Sequence, residues 1–180
     1  AKMNTQDFLK LADSYVEEDE LLKALEYCNH AIQKEPKNDL LYCKRGEINY
    51  EFGEYFEAIQ DFTKAIEIKI DDYYLYLRGV CKYLLGLHDW ALEDLEKGLT
   101  ISPDDSEIWL YKAYILKEEN KWEESLNAYL KGAEFDKTSS FIFHEISKLY
   151  LRLSKYELAI TSIKQALEIE PLEDYKKFLS

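Results

Sequence analysis

The chain has 180 residues, room for one domain or one repeat array, and a formal net charge of −13. That charge repels phosphate backbones and anionic lipid surfaces, which argues against nucleic acid and membrane as partners. The richest apolar stretch, residues 73–87, is too short for a bilayer and holds Arg78 and Lys82, while Cys28, Cys43 and Cys81 form an odd set without CxxC spacing.

The cysteine usage argues for a reducing compartment and no disulfide framework. No apolar leader is visible, so a cytoplasmic location is expected. Ala1 and Lys2 stand ahead of Met3, the expected native start.

In chain order, a first helix is predicted from Thr5, an N-cap residue type, with Phe8, Leu11 and Tyr15 on one face. Residues 17–20 form a polar break. A second helix follows, marked by Leu21, Leu25, Cys28 and Ile32, and Pro36 ends it by disfavouring helix in the residue before. The same pair of patterns then returns. Asp39, Asp72, Ser106 and Ser140 are further candidate caps, at steps of 34, 33, 34 and 34 residues from Thr5. Gly53 and Gly86 punctuate the inner turn of the second and third periods, and Asp19, Asn120 and Ser154 hold that place in the others. Pro103 and Pro171 close the third and fifth. Asp174, 34 residues beyond Ser140, is expected to cap one more helix over 174–180, either an end cap or the start of a sixth period.

Three further ladders keep step with the caps. Ala12, Gly46, Gly79, Ala113 and Ser147 lie seven residues after each cap. Ala24, Ala58, Ala91, Ser125 and Ala159 lie nineteen after, and Ala31, Ala65, Gly98, Gly132 and Ala166 twenty-six after. Two helices joined by a short turn pack antiparallel, and their closest approach admits only small side chains. A register held this way predicts stacked helix pairs, an all-α repeat array spanning 1–180 with repeats 5–38, 39–71, 72–105, 106–139 and 140–173.

These residues resemble the tetratricopeptide repeat family, whose pattern sets a large residue at repeat position 4 and small residues at 8, 20 and 27. Aromatics are common at 11 and 24, with Pro at 32. The first repeat supplies Phe8, Ala12, Tyr15, Ala24, Ala31 and Pro36; the fifth supplies Phe143, Ser147, Tyr150, Ala159, Ala166 and Pro171. Asn49 and Lys82 depart from the aromatic, Ile70 and Lys137 from the Pro, so repeats two and three are expected to pack differently at that point. The resemblance implies a right-handed superhelical solenoid of five helix-turn-helix repeats plus a short C-terminal helix. The RNA-binding pentatricopeptide array has a similar period, but the acidic charge and the Pro at position 32 argue against it.

By the same resemblance, the first helix of each repeat lines a concave groove. The residues expected there are Tyr50, Tyr73, Tyr76, Val80, Tyr83, Tyr111, Tyr114, His144, Lys148 and Arg152. The tyrosines would form a central aromatic band, a side chain suited to binding hot spots. Asp13, Glu17, Glu47 and Glu51 would make one end acidic; His144, Lys148 and Arg152 would make the other more basic. The carboxylate clamp known in this family needs Lys, Asn and Arg at set positions. Here those positions carry, in the first window, Leu9, Asp13, Lys44, Tyr73 and Leu77, and the other windows match no better, so clamp binding is not expected.

No catalytic, cofactor or metal site is expected. His30, His88 and His144 lie in three different repeats without partners at ligand spacing, and no phosphate-binding loop or nucleophile motif occurs. The reading is a protein-interaction scaffold holding an extended or helical segment with apolar or aromatic anchors. Self-assembly, or an accessory role within a larger enzyme or a secretion or assembly machine, is the alternative.

Overall fold

Every repeat folds as two helices around a three-residue turn. The computed structural model describes residues 3–180, so Ala1 and Lys2, ahead of the expected start, lie outside the described residues. The first helices are α1 (Thr5–Glu17), α3 (Asp39–Glu51), α5 (Asp72–Leu84), α7 (Ser106–Glu118) and α9 (Ser140–Arg152), each of 13 residues. The second helices are α2 (Leu21–Lys34), α4 (Tyr55–Ile68), α6 (His88–Ile101), α8 (Trp122–Phe135) and α10 (Tyr156–Ile169), each of 14. A short helix, α11 (Glu173–Phe178), follows. The chain falls into two compact units, Ala1–Ile101 with three helix pairs and Ser102–Ser180 with two pairs and α11. The all-α class of five helix-turn-helix repeats with a short C-terminal helix is that expected from the sequence.

The N-caps sit one residue earlier than expected. Asn4, Asn38, Asp71, Asp105 and Ser139 hold extended backbone, and their side-chain oxygens accept from the N–H groups of Asp7, Leu40, Tyr73, Glu107 and Ile142. Asn4 and Asp7 close a reciprocal capping box. The residues expected to be caps are the first helical residues instead, and some bond to the end of their own repeat or to the element that follows it. The Thr5 hydroxyl donates to Glu35 at 2.6 Å, and Tyr74 donates to Asp39 at 2.6 Å. Ser140 donates to Glu170 at 2.8 Å and lies 3.3 Å from the Tyr175 hydroxyl. Asp174 does not cap α11 either: the cap is Leu172, without a side-chain bond, and Asp174 lies in the first turn.

The inner turns are built alike. Asp19, Gly53, Gly86, Asn120 and Ser154 all adopt left-handed backbone, with φ between 59° and 79°. Glycine takes this conformation freely, Asn and Asp more readily than most, and Ser with more strain.

All fifteen small residues of the three inner ladders are buried. Where they are glycine the neighbours explain why. A Cβ on Gly46 would stand 2.7 Å from the Phe62 ring, and one on Gly79 would stand 3.2 Å from Leu95. Position 4 fills the space around these notches: Phe8, Tyr42 and Leu75 are buried, and Tyr42 and Trp109 donate to the carbonyls of Pro36 and Pro103, both at 2.9 Å. The second helices end at the same place with or without proline, since α4 and α8 have Lys69 and Asp136 as C-caps, just before Ile70 and Lys137.

Repeats two and three do pack differently at position 11. In the first repeat Tyr15 meets Tyr27, with ring centroids 5.3 Å apart. In the second, that pair is Asn49 and Asp61, joined by Arg45: the guanidinium donates to Asp61 at 2.7 and 3.0 Å and to Asn29 at 2.9 Å, and Asn49 donates to Asp61 at 3.0 Å. In the third, Asp94 accepts from Arg78 at 2.7 and 2.8 Å and from Lys82 at 2.7 Å, while Arg78 reaches Thr63. Both aspartates are almost fully buried, so the cations supply what water would have supplied.

Candidate functional site

The residues expected to bind lie on the first helices, and each unit carries its own set. In Ala1–Ile101 the exposed ring is Tyr73, 48% accessible, near the start of α5. It stacks on Tyr76 one turn along, with centroids 6.5 Å apart and planes inclined by 29°. Its hydroxyl donates to Glu47 on α3 at 2.9 Å. Burial and the Glu47 carboxylate push this phenol above its usual range, so it stays protonated and a donor. Glu47 also accepts from Lys44 at 3.0 Å, and Lys44 bridges to Asp13 on α1 at 2.7 Å. Burial lowers the Lys44 pKa, but its bonds to Asp13 and Glu47 outweigh burial and hold it above the usual range. A chain of polar contacts thus fixes the aromatic pair across α1, α3 and α5.

Tyr50 packs on Tyr55 with centroids 5.6 Å apart, and Tyr83 stacks on His88 at 5.8 Å. Both tyrosines are half-buried and spent partly on the turn between their own two helices. Val80 is 4% accessible and belongs to the interior rather than to any binding surface.

In Ser102–Ser180 the aromatic set is Tyr111, Tyr114 and Phe141. Tyr114 meets Tyr111 edge to face at 5.4 Å and Phe141 at 6.2 Å, and Phe141 is 42% accessible. Lys117 lies over the Tyr114 ring, 5.9 Å from its centroid. Burial, with Tyr111 and Glu145 adding, pushes the Tyr114 phenol up to about 12.

The basic character expected of His144, Lys148 and Arg152 is reduced but not removed, since one carboxylate, Glu145, serves two lysines and Arg152 keeps its charge. Lys148 pairs with Glu145, which is buried and also takes Lys117 at 2.6 Å. Arg152 lies flat over Trp122, 4.0 Å from the ring centroid. His144 is covered by α11, with Tyr175 at 4.6 Å and Phe178 at 6.2 Å between centroids. Burial, then Lys148, lowers its pKa below the usual value, so it is neutral at pH 7. The Lys148–Glu145 pair is an i, i+3 pair within α9 that spacing offered, whereas Trp122, Tyr175 and Phe178 reach these residues from other helices, which spacing could not show.

The three thiols are buried. Burial pushes Cys28 and Cys81 up to about 12, which keeps them as inert thiols. His30 is exposed beside Phe8, and His88 is the first residue of α6. Among the described residues no group of three or more His, Cys, Asp or Glu is placed to hold a metal ion. No described helix is long and apolar enough to cross a membrane.

Residues 40–71 and 142–171 match the tetratricopeptide repeat family. These two segments lie in the second and fifth repeats, so the chain carries tetratricopeptide repeats. No curated protein matches the sequence. Among solved structures, it is similar to YrrB, described as a tetratricopeptide repeat protein with an unusual peptide-binding site, at 20% identity and a TM-score of 0.76, over 96% of this chain and 89% of that one. MamA from Desulfovibrio magneticus RS-1 aligns at 16% identity and a TM-score of 0.83, over 96% and 99%. The C-terminal part of a repeat protein from Cytophaga hutchinsonii aligns at 17% identity and 0.79, over 91% and 65%. At these identities the likeness concerns the fold.

Proposed function

We propose that the protein is a non-catalytic interaction scaffold that holds an extended or helical segment of a partner protein against its first helices. The carrying observation is the pair Tyr73 and Tyr76. One ring is half exposed on a helix surface, yet both are stacked and Tyr73 is tethered to Glu47. Rings fixed before binding lose little entropy on contact, and they combine a broad apolar face with a polar tip. Tyr111, Tyr114 and Phe141 supply a second set of the same kind on α7 and α9. YrrB, which shares the fold, is described as binding peptide, which is in keeping with this reading.

The ligand side chains that fit are apolar or aromatic. Uncompensated acid on α1 and α3, such as Glu17 and Glu51, favours basic residues at that end of the ligand. At the other end Glu145 alone meets both Lys117 and Lys148, and Arg152 keeps its charge over Trp122, so acidic residues are favoured at that end of the ligand.

The test is a paired capture from native lysate. One bait is the intact protein and the other carries Tyr76→Ala, Tyr83→Ala and Tyr111→Ala, shown by circular dichroism to be folded. A partner retained by the first and lost by the second supports the proposal; equal retention by both overturns it.

A further inference from the structure

We infer that the hairpin-turn edge of Ala1–Ile101 is a second docking surface, separate from the tyrosine face, and that its ligand is a basic amphipathic helix of a partner protein.

Leu22 at the start of α2 is 74% accessible, and Phe52 in the turn after α3 is 38% accessible. They line one shallow cavity of about 460 Å³ together with Asp19, Glu20, Leu21 and Lys23. Leu22 is repeat position 18 and Phe52 is position 14 of the next repeat. The same two positions one repeat on are Phe56, 61% accessible, and Leu85, 43% accessible. Trp90, 60% accessible, adds an exposed ring at the start of α6. In the last two repeats positions 14 and 18 carry Glu119, Glu123, Leu153 and Glu157, so the apolar pairs are confined to this unit. Solvent contact at four large apolar side chains on two repeating positions marks an interaction surface better than scattered exposure does.

Charge selects the occupant. Asp19 lines the cavity and Glu18 precedes it in the turn; Glu51, Glu54 and Glu57 flank Phe52 and Phe56 in the chain, and all five are exposed. Among the described residues no cation pairs with Glu51, Glu54 or Glu57, and the nearby Lys23 is taken by Glu20. With a net charge of −13, a second copy of this chain or an anionic membrane would be repelled here. A helix suits the spacing. Repeats stack at about the 8–10 Å of packed helices, and residues seven apart on one helix face are about 10.5 Å apart. Two apolar residues at i and i+7 would meet the Leu22–Phe52 cavity and the exposed Phe56 of the next repeat, with lysine or arginine on the flanks meeting the glutamates.

The experiment uses the full chain and a fluorescein-labelled peptide of about 18 residues, roughly five helical turns. The peptide carries leucine at i, i+3, i+4 and i+7 and lysine on both flanks; a twin carries glutamate on the flanks. Binding is read by anisotropy. The lysine peptide should bind saturably, more weakly as salt rises, and the twin should not. Leu22→Ser with Phe56→Ser should weaken binding by at least about tenfold, and so should Glu54→Lys with Glu57→Lys, a pair that leaves the apolar surface intact. Tyr76→Ala with Tyr111→Ala should leave it unchanged, which keeps this outcome separate from that of the tyrosine face. Absence of saturation, equal binding of the twin, or indifference to both edge variants would overturn the inference. So would self-association abolished by Leu22→Ser with Phe56→Ser, since it would make the occupant a second copy.

Discussion

At the scale of single residues, the small ladders make opposite predictions for two glycines. Gly132 sits in α8, and an added Cβ would meet Ser106 O and the Trp109 Cβ at 3.6 Å, ordinary contact. Gly132→Ala should therefore gain up to about 1 kcal/mol from helix propensity. Gly46→Ala should lose stability. Its Cβ would stand 2.7 Å from a Phe62 ring that has no exposed surface and no room to swing, an overpacking cost of about 1–3 kcal/mol. Urea unfolding of both variants, at equal slope, checks the pair. Ser154 gives a third test: it holds φ 59° where the second and third repeats use glycine, so Ser154→Gly should raise the unfolding midpoint modestly. The residue scale was the most legible in the sequence. Small, turn and cap types are chosen by local geometry, and local geometry repeats with the period. The one-residue error in the caps has a physical source. Asn38-Asp39, Asp71-Asp72, Asp105-Ser106 and Ser139-Ser140 are adjacent pairs of capping types, and only backbone conformation says which member caps.

At the scale of elements, what joins the two helices of a pair differs between repeats. Asp94 is 1% accessible and holds two cations, so Asp94→Ala would strand Arg78 and Lys82 with little water to replace it. The expected cost is about 3–5 kcal/mol, the penalty of breaking a buried ion pair by removing one partner. Asp61→Ala should cost less, because the Arg45 side chain is 27% exposed and its other neighbour is neutral Asn49. Comparing the two denaturation midpoints decides the order. The sequence showed that Asn49 and Lys82 broke the aromatic rule. It also held the explanation, unread: Arg at position 7 and Asp at position 23 occur together in those two repeats. Reading it requires knowing that positions 7, 11 and 23 face one another, and that is a tertiary fact.

The α11 contact predicts a pH response. His144 is faced by Lys148 and Glu145 on its own helix, by Asp174 of α11, and by the rings of Tyr175 and Phe178. Its folded pKa is depressed below the unfolded value of about 6.5. Above that pH both states are neutral. Below it the unfolded chain takes up the proton first, and the folded state loses stability. Glu145 adds a second loss at lower pH. Burial raises its pKa, but bonds from Lys117 and Lys148 more than compensate, so its net shift is downward and its contribution fades as acid protonates it. Thermal unfolding followed from pH 7 toward 5 should show a decline that His144→Gln removes. An unchanged decline in that variant would take His144 out of the account.

At the scale of the whole molecule, the legible part was the class and the hidden part was the surface. Periodicity tells which side chains face a neighbouring helix, because every repeat needs the same packing. It does not tell which exposed side chains are engaged from another helix. Arg152 over Trp122 and His144 against Tyr175 are such cases. The exposed row from Leu22 to Trp90 is the converse, visible only once accessibility is known. The surviving candidates are Tyr73 with Tyr76, and Tyr111 with Tyr114 and Phe141. Rigid aromatic faces on the first helices fit the proposed role of holding another protein. Hydroxyl-radical footprinting, with and without the captured partner, tests that claim most directly, because it reads the solvent exposure of individual tyrosine rings. The account predicts that Tyr73, Tyr76 and Tyr111 become protected while Tyr156, on a second helix and 60% accessible, keeps its rate. Unchanged oxidation of Tyr73, Tyr76 and Tyr111 in the complex would contradict it.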